Sequence, residues 1–139
     1  MDFVEWSYEY SLDVPEIDQQ HKELVNQLNE TIKHCTGKKK DEKIFFDKNM
    51  RKTIDFMKNH FDTEEKLLCK TKIENLNKHK LDHKKIIDEL LKMADDIENN
   101  IVELNLFIVT TFIKERVMGH IKAYDLCSKE YFVEGNKIK

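Results

Sequence analysis

Apolar residues recur every three or four positions through four long segments of this chain, and this period constrains the fold more than any other sequence feature. Such spacing places apolar side chains on one face of an α-helix, because a helix turns once in 3.6 residues. The 139 residues include only 3 glycines and 1 proline, too few for the turns of an all-β sandwich or barrel. The sequence therefore predicts an all-α fold.

Short polar links join the four segments, and each segment is about 20 to 30 residues long. This pattern is typical of an up-down-up-down four-helix bundle. We expect a single domain over residues 1–139, with the bundle at about 16–134. The first helix is expected to begin near Pro15 or Asp18. The inward stripes of the second, third and fourth helices are expected to begin at Ile44 or Phe45, at Leu76 and at Val102.

Irregular segments are expected at both ends of the chain and between the first two helices. An aromatic arm at about residues 1–15 should dock on the core. Its aromatic residues are Phe3, Trp6, Tyr8 and Tyr10. The run Gly37-Lys38-Lys39-Lys40 should end the first helix as a solvated loop, and residues 135–139 should form a frayed polar tail.

The charge balance argues against nucleic acid and membranes as partners. The chain has 24 Lys and Arg against 27 Asp and Glu, and a net charge of −3, which favours neither nucleic acid nor an anionic membrane. No apolar stretch approaches the ~20 residues that cross a bilayer, and the first residues lack the basic start of a secretory signal. We expect a cytoplasmic protein that is a monomer, because its exposed helix faces are highly charged.

The cysteines point to the same compartment. Cys35, Cys69 and Cys127 are odd in number and none of them forms a C-x-x-C motif. Free thiols in a reducing cytosol, buried as small apolar residues, are the simplest interpretation.

Histidines on the inward faces carry the chemical signal. Five of the six histidines fall on apolar stripes together with Glu64, and Asp125 follows the last of them. An unpaired polar group in a core costs about 1–3 kcal/mol, which a domain of this size cannot absorb several times. A bound cation removes this cost. The expected ligands are His21, His60, Glu64, His79, His83, His120 and Asp125.

Most spacings agree with this hypothesis. His79 and His83 are four residues apart and therefore adjacent on one helix face, as are His60 and Glu64. His120 and Asp125 are five apart, about 140° away from a shared face of an ideal helix. They converge only if the helix ends near Gly119 or contains a bulge, and a π-type bulge is plausible because such bulges favour functional sites.

Seven ligands are too many for one tetrahedral zinc ion. Two octahedral ions that share both carboxylates, with an oxo or hydroxo bridge, fit better. Mixed imidazole and carboxylate ligands suit iron, although residue types alone leave manganese, cobalt and zinc open.

These motifs resemble the hemerythrin family in its single-domain bacterial form, over nearly the whole chain. The resemblance rests on Trp6-Ser7 with Tyr10, the run Ile17-Asp18-Gln19-Gln20-His21-Lys22-Glu23-Leu24, His60-Phe61, Glu64-Glu65, His79, His83, His120-Ile121 and Asp125. It implies reversible dioxygen binding at a di-iron centre, for storage, transport or scavenging, by a protein that is not an enzyme.

The resemblance also implies a role for each ligand. His79, His83 and His120 would hold one iron, and His21 and His60 would hold the other, which keeps an open position for dioxygen. Glu64 and Asp125 would bridge the two ions. The apolar side chains expected to line the dioxygen pocket are Leu24, Met57, Phe61, Val117 and Ile121. The chain departs from the family at Arg116 and Val117, where a Trp-Leu pair is usual.

Two alternatives remain open. A ferritin-like di-iron oxidase or peroxidase would use Glu-x-x-His pairs, and no glutamate stands three residues before any histidine here. A sensor that reports dioxygen or redox state to a separate protein partner would use the same site as a dioxygen carrier.

Overall fold

A computed structural model describes residues 3–36 and 40–138, and within these residues the fold is a four-helix bundle without strands. The first three helices are α1 (Pro15–Ile32), α2 (Glu42–Cys69) and α3 (Leu76–Glu98). The fourth is a continuous helical run over residues 106–137. Gly37, Lys38 and Lys39, which were expected in the first loop, lie outside the described residues.

The fourth helical run is irregular. It consists of α4 (Leu106–Ile113), π-helical turns at Lys114–Met118 and Ile121–Asp125, a 3₁₀ turn at Leu126–Ser128, and α5 (Lys129–Lys137). A further 3₁₀ turn at Tyr8–Tyr10 lies in the segment before α1. Among the described residues no helix combines the length and apolar character that crossing a membrane requires.

Two apolar clusters form the core, and the histidines lie between them along the helices. Ile17 of α1 belongs to the smaller cluster and Leu24 to the larger one, and His21 lies between these two residues in the sequence. In α2, Phe61 belongs to the larger cluster and Leu67 to the smaller. The bundle therefore places His21 and Glu64 between two apolar layers.

Two polar side chains of α1 hold the segment that precedes the helix. The backbone amides of Phe3 and Val4 donate to Oδ1 of Asn29 over 3.1 and 2.9 Å, and Nδ2 of Asn29 donates to the Val4 carbonyl. Asp18 accepts from the Leu12 amide and the Ser11 hydroxyl. Asp18 thus binds the loop that precedes the helix. The aromatic rings of Phe3, Trp6 and Tyr10 pack on the larger cluster.

Several helix boundaries and buried faces differ from expectation. Ile44 and Phe45 are 68% and 50% exposed, and Phe46 is buried in their place, so the inward stripe of α2 begins one residue later. Val102 precedes its helix, because the side chain of Asn105 accepts a hydrogen bond from the Ile108 amide and starts α4 there.

The C-terminal segment and two of the three thiols also differ from expectation. The last helix continues to Lys137 instead of fraying at residue 135, because Phe132 and Gly135 pack into the smaller cluster and against α2. Cys35 is buried as predicted, whereas Cys69 and Cys127 are exposed; all three are free.

Candidate metal centre

The seven side chains expected to bind metal converge in the bundle interior. Each helix contributes at least one of them: His21 from α1, His60 and Glu64 from α2, His79 and His83 from α3, and His120 and Asp125 from the fourth run. None is more than 4% exposed. The inward stripes of the sequence therefore predicted which residues meet.

A π-helical turn brings the last two residues together. The turn at Ile121–Asp125 follows His120 directly, and its wider i to i+5 pattern places residues five apart on nearly the same face. Nε2 of His120 lies 3.2 Å from Oδ1 of Asp125. The bulge expected from the sequence is present.

The oxygens of Glu64 divide the histidines into two groups. Oε2 lies 3.2 Å from Nε2 of His21 and 3.1 Å from Nε2 of His60. Oε1 lies 3.1 Å from Nε2 of His83 and 3.9 Å from Nε2 of His79.

Asp125 repeats this division. Its Oδ2 lies 3.3 Å from Nε2 of His21, and its Oδ1 lies 3.0 Å from Nε2 of His79 and 3.2 Å from that of His120. Each carboxylate thus presents one oxygen to either group, which is the geometry that two bridging carboxylates require.

Two overlapping sets of ligand atoms result. One comprises Glu64, His79, His83, His120 and Asp125, and the other comprises His21, His60, Glu64 and Asp125. Within each set all ligand atoms lie within 4.8 Å of one another. One half of the centre therefore offers three imidazoles and the other half two.

Unpaired buried atoms support a fit between this centre and metal ions. Oε1 of Glu64, Oδ2 of Asp125 and Nε2 of both His83 and His120 are buried and lack a hydrogen bond. Such groups are rare in a folded core, because each loses its contact with water without compensation. Cations would accept these lone pairs, and imidazole with carboxylate is a donor set that suits iron.

The two carboxylates raise the pKa of two imidazoles of the centre. Burial lowers the pKa of His21, but hydrogen bonds to Asp125 and Glu64 outweigh it and raise the pKa to about 10. Burial likewise lowers the pKa of His120, and the charge of Asp125 raises it to about 9. Burial raises the pKa of Glu64, but the charge of His60 and a hydrogen bond to His21 hold it well below its ordinary value. The two carboxylates therefore stabilise positive charge on the imidazoles, as they would on a bound cation.

Three outer residues orient the imidazoles, and sequence analysis assigned them no such role. Nδ1 of His60 lies 2.7 Å from Oε1 of Gln20, Nδ1 of His83 lies 2.8 Å from Glu65, and Nδ1 of His120 lies 2.6 Å from Asp82. A carboxylate only accepts, so Nδ1 of His83 and of His120 carries a proton, and Nε2 of each ring faces the centre and would give its lone pair to a metal. A signal existed, since Gln20, Glu65 and Asp82 each directly adjoin a ligand in the sequence.

The geometry agrees with what sequence comparison shows. A family model described as the hemerythrin HHE cation binding domain matches residues 12–125. The chain belongs to the hemerythrin family. One solved structure, described as a leucine-to-phenylalanine mutant, has 22% sequence identity to this hemerythrin, covers 95% of this chain and 98% of its own, and superposes with a TM-score of 0.81. That likeness shows the fold alone, and no curated protein matches the chain significantly.

The residues expected to line a dioxygen pocket in this hemerythrin are all buried in the larger cluster. They are Leu24, Met57, Phe61, Val117 and Ile121. Phe61 stacks on His83 with ring centres 3.9 Å apart and also contacts the rings of His60 and His120. At least this pocket residue therefore touches the candidate centre.

Arg116, the departure from the usual family pattern, lies on the outer side of the fourth helix. Its guanidinium contacts Glu89 and Asp82 of α3, and its neighbour Val117 is buried. Residue 117 thus stays apolar and buried, and the charge of residue 116 is paired with two acids of α3.

Proposed function

We propose that this hemerythrin binds dioxygen reversibly at a di-iron centre bridged by Glu64, Asp125 and an oxo or hydroxo group. The observation that carries the proposal is the unequal division of imidazoles, three on one side of the two carboxylates and two on the other. Two iron ions that alternate between ferrous and ferric states would supply the two electrons that dioxygen takes up on binding and returns on release.

The ligand residues would hold the two ions in different surroundings. His79, His83 and His120 would bind one ion, and His21 with His60 the other. Because the second group has one imidazole fewer, we assign dioxygen to its side. Glu64 and Asp125 would give one oxygen to each ion, as their positions between the two groups allow.

The surrounding residues would make the reaction reversible by excluding water and protons. Apolar clusters adjoin the ligands along α1 and α2, and the two carboxylates are 0% exposed. A dry site gives bound dioxygen no proton source from solvent. Outer hydrogen bonds from His60 to Gln20 and from His83 to Glu65 keep the imidazoles in place during the change of charge.

Binding rather than catalysis follows from the donor set. Five imidazoles and only two carboxylates give the ions less negative charge than the carboxylate-rich sites of di-iron enzymes. We therefore expect no sustained turnover of dioxygen or peroxide.

The proposal is tested with protein that is purified anaerobically, analysed for metal and reduced. We expect two irons per chain, a visible charge-transfer band on exposure to air, and loss of the band on deoxygenation. H34A is the matched control, because His34 is remote from the centre and stacks on Phe45 instead. It should behave as the wild type, and H60A should lose the reversible band.

Two results would contradict the proposal. One equivalent of zinc in fresh protein would exclude a di-iron centre. A spectrum that never reverses, together with peroxide consumption over many turnovers, would assign the protein to the di-iron enzymes instead.

We also place the protein in a reducing compartment, the cytoplasm. Cys69 and Cys127 have exposed, free thiols, which an oxidising compartment would not leave unmodified.

A further inference from the structure

Arg116 connects to the candidate metal centre through one intermediate residue. Its Nη2 lies 3.1 Å from Oδ1 of Asp82, and the other oxygen of that carboxylate lies 2.6 Å from Nδ1 of His120. The guanidinium also donates through Nε to Glu89. We propose that Arg116 is a positioning residue for the centre, which holds Asp82 so that Asp82 fixes the imidazole of His120.

The contacts of Asp82 explain how this would work. Asp82 accepts the Nδ1 proton of His120, so Nε2 faces the centre and is the nitrogen that would give its lone pair to a metal. Asp82 is 13% exposed in its side chain, so water can reach it and compete for the carboxylate. Arg116 occupies the second oxygen and prevents the carboxylate from turning outward.

The contacts of Arg116 explain why arginine suits this position. The planar guanidinium binds two carboxylates of α3 through different nitrogens, Glu89 through Nε and Asp82 through Nη2. Both acids lie on the same helix, seven residues apart, so the guanidinium spans about two turns of α3. A lysine has a single ammonium group and cannot reproduce this fork.

His120 lies in an irregular part of the fourth helical run, where its side chain needs support from another helix. His120 immediately precedes the π-helical turn that carries Asp125, and Arg116 lies in the π-helical turn before it. Wide turns of this kind are irregular, so the backbone alone holds a side chain less firmly there than in an α-helix. The link from Arg116 through Asp82 ties this stretch to the regular helix α3.

The inference rests on the proposed metal centre and is tested with the full chain and Zn²⁺ as the probe. Dissociation constants are measured by competition with a chelator, and H120A identifies the zinc site that contains His120. We expect D82N to weaken that site about 10- to 100-fold, as loss of an outer hydrogen bond does in other metal sites, and R116M to weaken it about 5- to 10-fold.

The double variant decides how Arg116 acts. If Arg116 acts through Asp82, R116M/D82N binds zinc no more weakly than D82N alone, because the second change removes nothing further. R116K should restore part of the loss. R51M is the matched control, since Arg51 likewise bonds to two acids of α3, Asp95 and Glu98, and contacts no ligand. It should bind zinc as the wild type does.

A second measurement does not depend on affinity. In the zinc-loaded protein the Nδ1 proton of His120 should give a downfield, slowly exchanging NMR signal, because Asp82 accepts it. R116M should exchange this proton faster with water, whereas R51M should leave it unchanged. A purely structural role of Arg116 would lower the melting temperature of R116M without this local effect.

Three results would overturn the inference. They are wild-type zinc affinity and proton exchange in R116M, additive losses in R116M/D82N, and equal losses in R51M and R116M. If R116M does not fold, R116K and D82N carry the comparison, and R116K with wild-type values in both measurements would count against it. If the wild type binds no pair of zinc ions, the proposed function fails too, whereas two bound ions with an unaffected R116M would refute this inference alone.

Discussion

The buried carboxylates and imidazoles of this protein depend on one another, because no single one of them is stable in an apolar core without the rest. Glu64 lies within 4 Å of an Nε2 atom of His21, His60, His79 and His83. An isolated ionised carboxylate at such depth would cost many kcal/mol. Each side chain of the centre therefore depends on several others. The effect of a single substitution on metal content should differ according to whether the residue belongs to the three-imidazole half, the two-imidazole half or both.

The bridging position of Glu64 gives a stoichiometric prediction. E64Q should lose both metal ions, since it removes charge from both halves, while H21A should keep the ion of the three-imidazole half. Metal analysis of purified variants measures this, with H34A as the control that keeps two ions. Retention of two ions by E64Q would show that Glu64 does not bridge.

The raised pKa of His21 predicts how pH acts on the metal-free protein. A histidine in the unfolded chain titrates near its ordinary value of 6.5, and in the fold the pKa of His21 is about 10. Its contribution to stability is fully present below about pH 6.5 and is lost as the pH rises towards 10. The free energy of unfolding in urea should therefore be lower at about pH 9.5 than at about pH 6.5.

The same proton affects metal binding with the opposite sign. A metal must displace it, so zinc affinity should rise with pH over this interval. An H21Q variant should show a smaller decrease in metal-free stability between the two pH values. An unchanged decrease in H21Q would assign the effect to other groups.

The cysteines give a prediction at the same scale. Burial raises the pKa of Cys35 to about 12, and the charge of Glu42 adds to this, whereas Cys69 and Cys127 are exposed. Because the thiolate is the reactive form, Ellman's reagent should modify two thiols in the native protein and the third only after denaturation. Rapid modification of all three in the folded state would contradict the burial of Cys35.

The convergence of the seven candidate ligands could be predicted from the sequence, whereas for their outer partners the sequence offered only the adjacency of each to a candidate ligand. His79, His83 and Glu64 interrupt apolar stripes, so a polar residue is conspicuous there. Gln20 and Asp82 stand one position off a stripe, where polar residues are the rule, and only the packing of helices shows that they contact a histidine.

At the scale of helices, the period of apolar residues predicted the presence of each helix more accurately than the residues at which the helix begins and ends. Asp41 and Asn75 are residue types that favour the cap position and they directly precede α2 and α3, yet neither makes a side-chain hydrogen bond to its helix, whereas Asn105 does. Asn99 and Asn100 also stand before the fourth helix, and the sequence alone does not rank them against Asn105. The spacing of His120 and Asp125 left two possibilities, a helix end near Gly119 or a bulge, and the structure has the bulge, as a π-helical turn.

The two described glycines of the fourth run form a matched pair for a test of its packing. Gly119 has an ordinary helical φ of −62° and open space where a Cβ would lie, so G119A should stabilise the protein by about 0.4–1 kcal/mol. A Cβ on Gly135 would overlap the carbonyl group of Leu67, so G135A should destabilise it by about 1–3 kcal/mol. Thermal unfolding followed by circular dichroism measures both changes, and equal effects would refute the packing of α5 on α2.

At the scale of the whole molecule, the centre links all four helices. α1, α2, α3 and the fourth run each contribute ligands, and the unfolded chain holds no such arrangement. Binding free energy therefore adds to folding free energy. One ion at a free concentration 100 times its dissociation constant contributes about 2.7 kcal/mol, or roughly 10 °C in melting temperature for a domain of this size.

We therefore expect calorimetry to show a higher melting temperature for the metal-loaded protein than for the metal-free protein. The variant E64Q provides the control, because added metal should not stabilise it. Equal melting temperatures of the loaded and metal-free wild type would mean that metal binds without preference for the fold.

Because all four helices contribute ligands to one centre, the amount of this protein in a cell should depend on iron supply. Chains that have found no iron keep several buried polar atoms without partners, and they open more often than loaded chains. Proteases cleave a chain mainly while it is open. In iron-starved cells the protein should thus be degraded faster than it is in iron-replete cells, without any dedicated regulator.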